Sequence, residues 1–338
     1  MYKNVFKYDE MKRGEHMAVR NNVGWYLWTH QLVEVTGPDA TAFLELLCAN
    51  PIGNLKIGKE RYTTMLDDDG LIIDDVVIFR WEEQKYWIST LFCHRLWAWY
   101  DAHKGDLDVN YVQITKQYHM YAVQGPKALE LVNGLAKETV DDLKFFSFRE
   151  NEINSFPVII NRAGFTGEKY GYEIYAAAGK ADELEALIRA EADKLGGRQV
   201  TDFQIMAWTL PTEAGFYYMR DLSFKNPLEV GLDKGIGWDK EFVGKQALLK
   251  IREAGPANEM LGFTIEEADI HVRTEHLGGP GEPVYVDGEL VGRVQKCVYS
   301  YVREINNGYI FAKKGVLKPG DKVLLHGHEA VICEPKFI

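Results

Sequence analysis

Two stretches of this chain repeat one another: Val35-Thr36-Gly37-Pro38-Asp39-Ala40 and Val123-Gln124-Gly125-Pro126-Lys127-Ala128. In each, a short strand pattern runs into Gly-Pro and then into a helical pattern. Proline removes a ladder donor and fixes φ, while glycine takes the angles a tight turn demands. After the first copy, Ala42, Phe43, Leu46 and Leu47 form one apolar face, with Asp39 placed to cap the helix. Two copies are too few for a solenoid, so the repeat implies duplicated α/β units.

The rest of the chain agrees with two kinds of architecture in series. A mixed-charge helix is expected over residues 8–22. Strands are expected at Tyr62–Leu66, at Leu71–Arg80 and Lys85–Leu91 as a hairpin, at His119–Gln124, and at 157–162 and 171–177. Helices are expected near 93–103, over Lys127–Leu135 and over Lys180–Leu195, the last stopped by Gly196-Gly197. From about residue 258 the texture changes to short apolar runs (260–265, 283–286, 289–294, 308–312, 322–325, 329–333) separated by Gly, Pro and Asp, which indicates a barrel or sandwich. A boundary is placed near residue 255, at Ala254-Gly255-Pro256.

A chain of 338 residues is too long for one ordinary core. Its net charge of −11 argues against a general nucleic-acid or anionic-membrane partner, which needs a basic stripe. Cys48, Cys93, Cys297 and Cys333 are scattered without a CxxC pair, the pattern of free thiols in a reducing compartment. The N-terminus lacks the apolar core of a signal peptide and no run is long enough to span a bilayer, so a cytoplasmic location is expected. Nothing in the sequence specifies an oligomeric state.

Four groups of residues bear on chemistry. Residues 164–175, Gly-Phe-Thr-Gly-Glu-Lys-Tyr-Gly-Tyr-Glu-Ile-Tyr, place one acid, Glu173, on a strand between Tyr172 and Ile174. Alternation turns Glu173 to the opposite face from both neighbours. A carboxylate so held suits the N–H-rich edge of a flat heterocycle; the alternative is a hairpin whose acid faces water. Asp74 and Asp75 interrupt an apolar strand, and one of them must point inward or sit at a bulge, because a buried unpaired carboxylate is costly. Arg220-Asp221 follows the aromatic run Phe216-Tyr217-Tyr218, either as an anchor for a ligand carboxylate or as an exposed ion pair. Trp25, Trp28, Trp97 and Trp99 either line a pocket or pack the core. The histidines show no metal-ligand spacing, and neither a GxSxG elbow nor a nucleotide fingerprint is present.

Taken in order, these segments resemble the tetrahydrofolate-binding aminomethyltransferase family, the T-protein of glycine cleavage and its relatives. Val33–Ala40 resembles its first strand and turn, Gly70-Leu71-Ile72-Ile73-Asp74-Asp75 its Gly-x-x-x-Asp-Asp segment, and Ala122–Pro126 its second Gly-Pro turn. Gly164–Glu168 with Tyr172-Glu173-Ile174 is similar to its most specific signature, and Glu213-Ala214-Gly215 with Pro227-Leu228-Glu229 to the approach to the last domain.

The resemblance implies an α+β chain: two interleaved α/β subdomains (roughly 1–50 with 111–200, and 51–110 with 201–255) and a C-terminal β-barrel (256–338), around a central folate cavity. It implies tetrahydrofolate as acceptor, Asp75 as the catalytic acid, and Glu173 gripping the pterin. Tyr62, Thr90, Tyr172 and Arg220 are the further candidates for the folate site.

Several positions depart from T-proteins. Ala207 stands where an arginine precedes Glu-Ala-Gly, Thr90 replaces an asparagine, Met219-Arg220-Asp221-Leu222 replaces a Tyr-Gly-Asn-Asp-like turn, and Tyr26-Leu27-Trp28-Thr29 replaces Asp-Val-Ser-His. Arg220 and Lys225 are candidates for the missing cation. Because these changes fall on the donor side, the sequence favours a demethylase taking methyl from a small methylated substrate (aryl methyl ether, sulfonium or methylamine). The glycine-cleavage aminomethyltransferase is the alternative. A non-catalytic folate-binding maturation factor is a further one, but its Lys-Gly-Cys-Tyr-x-Gly-Gln-Glu motif is answered here by Lys240–Ala247, without cysteine.

Overall fold

The computed structural model describes residues 2–3, 6–28, 31–267 and 269–338. Thr29, at the end of one divergent segment, lies outside the described residues.

The two Gly-Pro repeats fold alike, and their glycines show why. Gly37 has φ +123° and Gly125 φ +129°, both in the region that favours glycine. A Cβ would stand 2.5 Å from the Asp108 carbonyl oxygen at Gly37, and 2.6 Å from the Asn22 carbonyl oxygen at Gly125. Each turn closes through an Ala N–H donating to the glycine carbonyl at 3.0 Å, Ala40 to Gly37 and Ala128 to Gly125. Helices Ala40–Leu47 and Ala128–Leu135 follow. Asp39 does not cap the first of them. Its backbone (φ −103°, ψ 14°) is not extended, so the side chain cannot fold back onto the helix; it accepts the Asp108 N–H at 2.8 Å instead.

The strands, in chain order, are β1 (Tyr2–Lys3), β2 (Gly24–Trp28), β3 (Gln31–Thr36), β4 (Lys59–Leu66), β5 (Ile72–Glu82), β6 (Lys85–Thr90), β7 (Asn110–Gln113), β8 (Tyr118–Gln124), β9 (Ser147–Ile153), β10 (Phe156–Arg162), β11 (Gly171–Ala177) and β12 (Arg198–Gln199). All but β1 join one eleven-stranded sheet in the order β12-β2-β8-β11-β10-β9-β4-β5-β6-β3-β7. It has two halves, meeting where Lys59 on β4 pairs with Ser147 on β9. Residues 24–28 and 118–199 build one half and 31–113 the other. The expected break at residue 50 therefore falls inside a half: β3 and the helix after it pack with β5 and β6, where Val33, Phe43 and Leu47 meet Ile78 and Leu96.

Each half has helices on its outer face. Val23, Tyr121, Leu131, Tyr172 and Ile188 fill one outer core, beneath helices Ala128–Leu135 and Ala181–Lys194. The inner faces of both halves share another cluster, in which Phe79 and Trp87 meet Phe148, Ile159 and Tyr175, with Trp28, Val77 and Phe165 half-buried beside it. Sheet curl thus turns two apolar faces toward one interior.

From Asn258 the chain forms β13 (Asn258–Ile265), β14 (His271–Val272, paired with β1), β15 (Pro283–Val286), β16 (Glu289–Ser300), β17 (Ile305–Lys313), β18 (Lys322–Leu325) and β19 (His328–Cys333). Six of these make a nearly closed barrel in the order β15-β16-β17-β13-β19-β18. The α+β architecture with a C-terminal barrel is the one the sequence implied. All four cysteines are unpaired, and no helix among the described residues is long and apolar enough to cross a membrane.

Candidate active site

Register on the β4–β5 pair decides where the paired acids point. Thr64 lies opposite Asp75, Tyr62 opposite Val77 and Glu60 opposite Phe79. Alternation therefore puts Glu60, Tyr62 and Asp75 on the inner face with Val77 and Phe79. Asp74 goes to the other side, which Met65, Val76 and Ile78 pack into the outer core.

Tyr62 Oη donates to Asp75 Oδ2 at 3.0 Å, and the Asp75 N–H donates to Asp74 Oδ1 at 3.0 Å. Thr90 Oγ1 donates to Asp74 Oδ2 and itself accepts the Phe92 N–H at 2.9 Å. Asp75 lies deep in the molecule, yet keeps part of its surface accessible, as does Tyr62. Burial raises the Asp75 carboxyl to about 6 against the Tyr62 and backbone hydrogen bonds, with Asp221 adding repulsion. Burial, then the Asp75 charge, carries Asp74 to about 8. Two adjacent carboxyls thus separate into an ionised one facing the interior and a proton-holding one behind it.

Glu173 stands at the other end of the same inner face. Its strand neighbours Tyr172 and Ile174 are in the outer core, as alternation requires. Asn161 Nδ2 donates to Glu173 Oε2 at 2.9 Å and Tyr175 Oη at 3.2 Å. Burial raises the Glu173 carboxyl to about 7, with those two bonds opposing. Glu60, on β4, approaches this acid closely enough to be repelled by it.

Of the residues singled out from sequence, Asp75, Tyr62 and Glu173 share one face, and Thr90 supports the pair from behind Asp74. Tyr172 is not brought to them. It is 1% exposed in the outer core, because its neighbour Glu173 takes the inner side. The Arg220 guanidinium donates to the His276 carbonyl at 2.9 Å, and Lys225 Nζ to the Ser223 carbonyl at 3.3 Å beneath the Phe311 ring. Ala207 sits in a π-helical turn, Ile205–Thr209, ahead of Pro211, which has no N–H to return to it; the turn carries Trp208 against His276 at 4.7 Å between ring centres.

Sequence reasoning missed Glu60, Asn161 and the pair Asp221–Lys296. For Glu60 a signal existed: it lies two residues before Tyr62 and so shares its face. Asp221 and Lys296 are both fully buried with Lys296 Nζ donating to Asp221 Oδ2 at 2.8 Å, and that oxygen also accepts the Tyr218 N–H at 2.9 Å. Lys296→Met strands a buried carboxylate and is expected to lower stability by about 3–5 kcal/mol. Adding Asp221→Asn keeps the acceptor for Tyr218 and is expected to recover most of that loss, as denaturant unfolding of the single and double variants will show.

The signature segments converge physically. Arg20 donates to Glu213 Oε2 through Nε at 3.0 Å and Nη2 at 2.7 Å, and through Nη1 to the Thr166 carbonyl at 2.7 Å. His16 lies 3.2 Å from the same glutamate oxygen. One buried arginine thereby ties the Gly-Phe-Thr-Gly turn to Glu-Ala-Gly. Among the described residues no group of His, Cys, Asp and Glu gathers as a metal site.

The eleven-stranded curled sheet followed by a six-stranded barrel has a counterpart among solved aminomethyltransferases. The crystal structure of glycine cleavage system aminomethyltransferase T from Bartonella henselae superposes with a TM-score of 0.82 at 21% identity, covering 97% of this chain and 89% of that one. The family model described as the GCVT N-terminal domain matches residues 1–240. The aminomethyltransferase of Alkaliphilus oremlandii is 33% identical over 307 residues, 87% of this chain and 79% of that protein. A probable aminomethyltransferase of Thermococcus kodakarensis is 30% identical over 351 residues, 91% and 84% of the two chains. The chain belongs to the GCVT family of tetrahydrofolate-dependent transferases.

Proposed function

We propose that this protein transfers a one-carbon unit from an amine donor to tetrahydrofolate, in the aminomethyl manner for which its relatives are named. The observation that carries the site is the placement of Asp75 and Glu173 on one inner face, with Asp75 bonded to Tyr62 and still accessible. The residues fit a reduced pterin. Glu173 offers a carboxylate to its N–H-rich edge, and the buried Asn161 Oδ1 lacks a partner in the same place. Bound there, the folate supplies the nitrogen that receives the carbon.

The chain's own residues supply positioning and charge. Tyr62 fixes one oxygen of Asp75. Above about pH 6 that carboxylate is ionised and stabilises the positive charge that builds on the N–CH2 unit as the carbon's bond to the carrier sulfur breaks and the sulfur leaves as a thiolate. The proton on Asp74, and its place on the opposite side of the strand, keep the second acid from competing for the cation.

The demethylase reading favoured by the sequence becomes the second reading. It retains one supporting observation, an aromatic wall in which Trp28 lies 4.7 Å from Phe165 and 6.0 Å from Phe203, and Phe203 5.8 Å from Trp208. Such a wall suits a methylated cation. Product analysis separates the two. Aminomethyl transfer from an aminomethyl-lipoyl carrier yields 5,10-methylene-tetrahydrofolate, with ammonia released and the carrier left as the free dithiol. 5-Methyl-tetrahydrofolate formed from a free methylated substrate without a carrier would reject it in favour of demethylation.

A further inference from the structure

Glu60 has no role in the reading above, yet its surroundings demand one. Its side chain is 4% exposed, and its carboxylate oxygens have no well-formed hydrogen bond, the Asn161 amide being the donor that approaches them. Asn161, which bonds Glu173 through Nδ2, has a buried Oδ1 that is unpartnered. Unsatisfied buried acceptors are uncommon in folded proteins and call for an explanation, a bound ligand among them. The neighbours do not neutralise Glu60. Lys59, on its own strand, spends Nζ on Ser147 Oγ of β9 at 2.6 Å. Asn161 of β10 and Tyr175 of β11 bond Glu173, and Glu173 itself is another acid. Burial, then the Glu173 charge, holds the Glu60 carboxyl well above its ordinary range, with Asn161 and Lys59 opposing.

We infer that Glu60 is a second acid of the heterocycle site, pairing with Glu173 so that the two share one proton: one accepts the ligand's N–H groups while the other donates to a ring or carbonyl acceptor. The inference rests on the reading of Glu173 as the pterin acid and adds a specificity-determining residue to it. Two carboxyls in one low-dielectric enclosure do not both ionise near neutrality, so the pair titrates in two steps. A pterin edge presents both donors and acceptors, and a half-protonated pair matches it better than one carboxylate can. Tyr62, two residues along β4 on the same face, links this end of the site to Asp75.

Calorimetric titration of 5-formyl-tetrahydrofolate into wild type, Glu60→Gln and Glu60→Ala between pH 6 and 9 tests this. Wild-type affinity is expected to weaken below about 7, as Glu173 takes up a proton. It is also expected to weaken on the alkaline side by up to about tenfold per pH unit once the second acid ionises. Glu60→Gln, which stays neutral and can donate, is expected to keep wild-type affinity at pH 7 and lose the alkaline fall. Glu60→Ala is expected to bind about tenfold or more weakly at pH 7, with thermal melting used to confirm that it folds; if it does not, the Glu60→Gln profile decides. An alkaline limb unchanged in Glu60→Gln, or undiminished affinity in folded Glu60→Ala, overturns the role of Glu60 and leaves that of Glu173 standing. Wild type that binds no folate at any pH overturns both.

Discussion

Asp75→Asn is expected to cut the rate of carbon transfer by about 10²- to 10³-fold while changing folate affinity by less than about threefold. The substitution is nearly isosteric. An amide oxygen still accepts from Tyr62, and the backbone N–H at this position still reaches Asp74, so the local fold of β5 persists. What disappears is a negative charge in a poorly solvated interior, where its interaction with a developing cation is strongest. Asp74 cannot substitute for it. That acid faces the outer core, on the side of the strand away from the site, and burial alone still pushes its carboxyl upward once the Asp75 charge is gone. The pH dependence follows with a definite sign. Burial raises Asp75 to about 6, so the active ionised form grows as pH increases through that value, and the wild-type rate climbs with it. The Asp75→Asn variant has no such proton to lose, so its profile is flat there. Single-turnover rates from pH 5 to 8, with a folate titration at each pH, supply the comparison. A variant that reacts as fast as wild type, or whose defect lies in folate affinity, removes Asp75 from the chemistry.

The sequence carried the strand–turn–helix repeats because their signals are local: a crowded glycine, a proline and a helical apolar stripe. It drew attention to Asp74 and Asp75 together for a different reason, since acids inside an apolar run stand out wherever they point; the choice of Asp75 came from the family resemblance. Glu173 owed its face to period-two alternation alone, and the same rule excludes Tyr172 from that face. Residues fixed by register or by distant partners were beyond reach. Asn161 meets Glu173 only because β10 and β11 pair with those two residues opposite one another. Asp221 and Lys296 are 75 positions apart and meet across the contact with the barrel. The barrel's longest strand was cut short for a related reason. Gln295 and Lys296 interrupt the apolar pattern after Val294, where the ladder shifts register, yet β16 continues to Ser300 with both residues buried. Polar residues that mark a loop in isolation mark, in this strand, an interior held by a distant carboxylate.

Glu173→Ala carries the second large effect, on binding rather than turnover. Folate affinity is expected to fall by about 30- to 100-fold, the roughly 2–3 kcal/mol of charge-assisted hydrogen bonds lost from a buried polar site. The rate at saturating folate is expected to stay within about threefold, because Asp75 and Tyr62 lie on other strands and keep their bond. The affinity loss is separable from misfolding by the sign of a linkage. Burial raises the Glu173 carboxyl to about 7, so the folded state holds this proton more tightly than the unfolded chain does. The stability it contributes is complete below the unfolded value of about 4.3 and is lost as pH rises through about 7. Wild type therefore loses stability between pH 5 and pH 8, and Glu173→Ala, lacking the group, loses less. Melting curves at those two pH values, set beside folate titrations, distinguish a ligand-binding acid from a structural one. If the variant melts with the smaller pH dependence yet binds folate as tightly as wild type, Glu173 is only a buried acid and the pterin lies elsewhere.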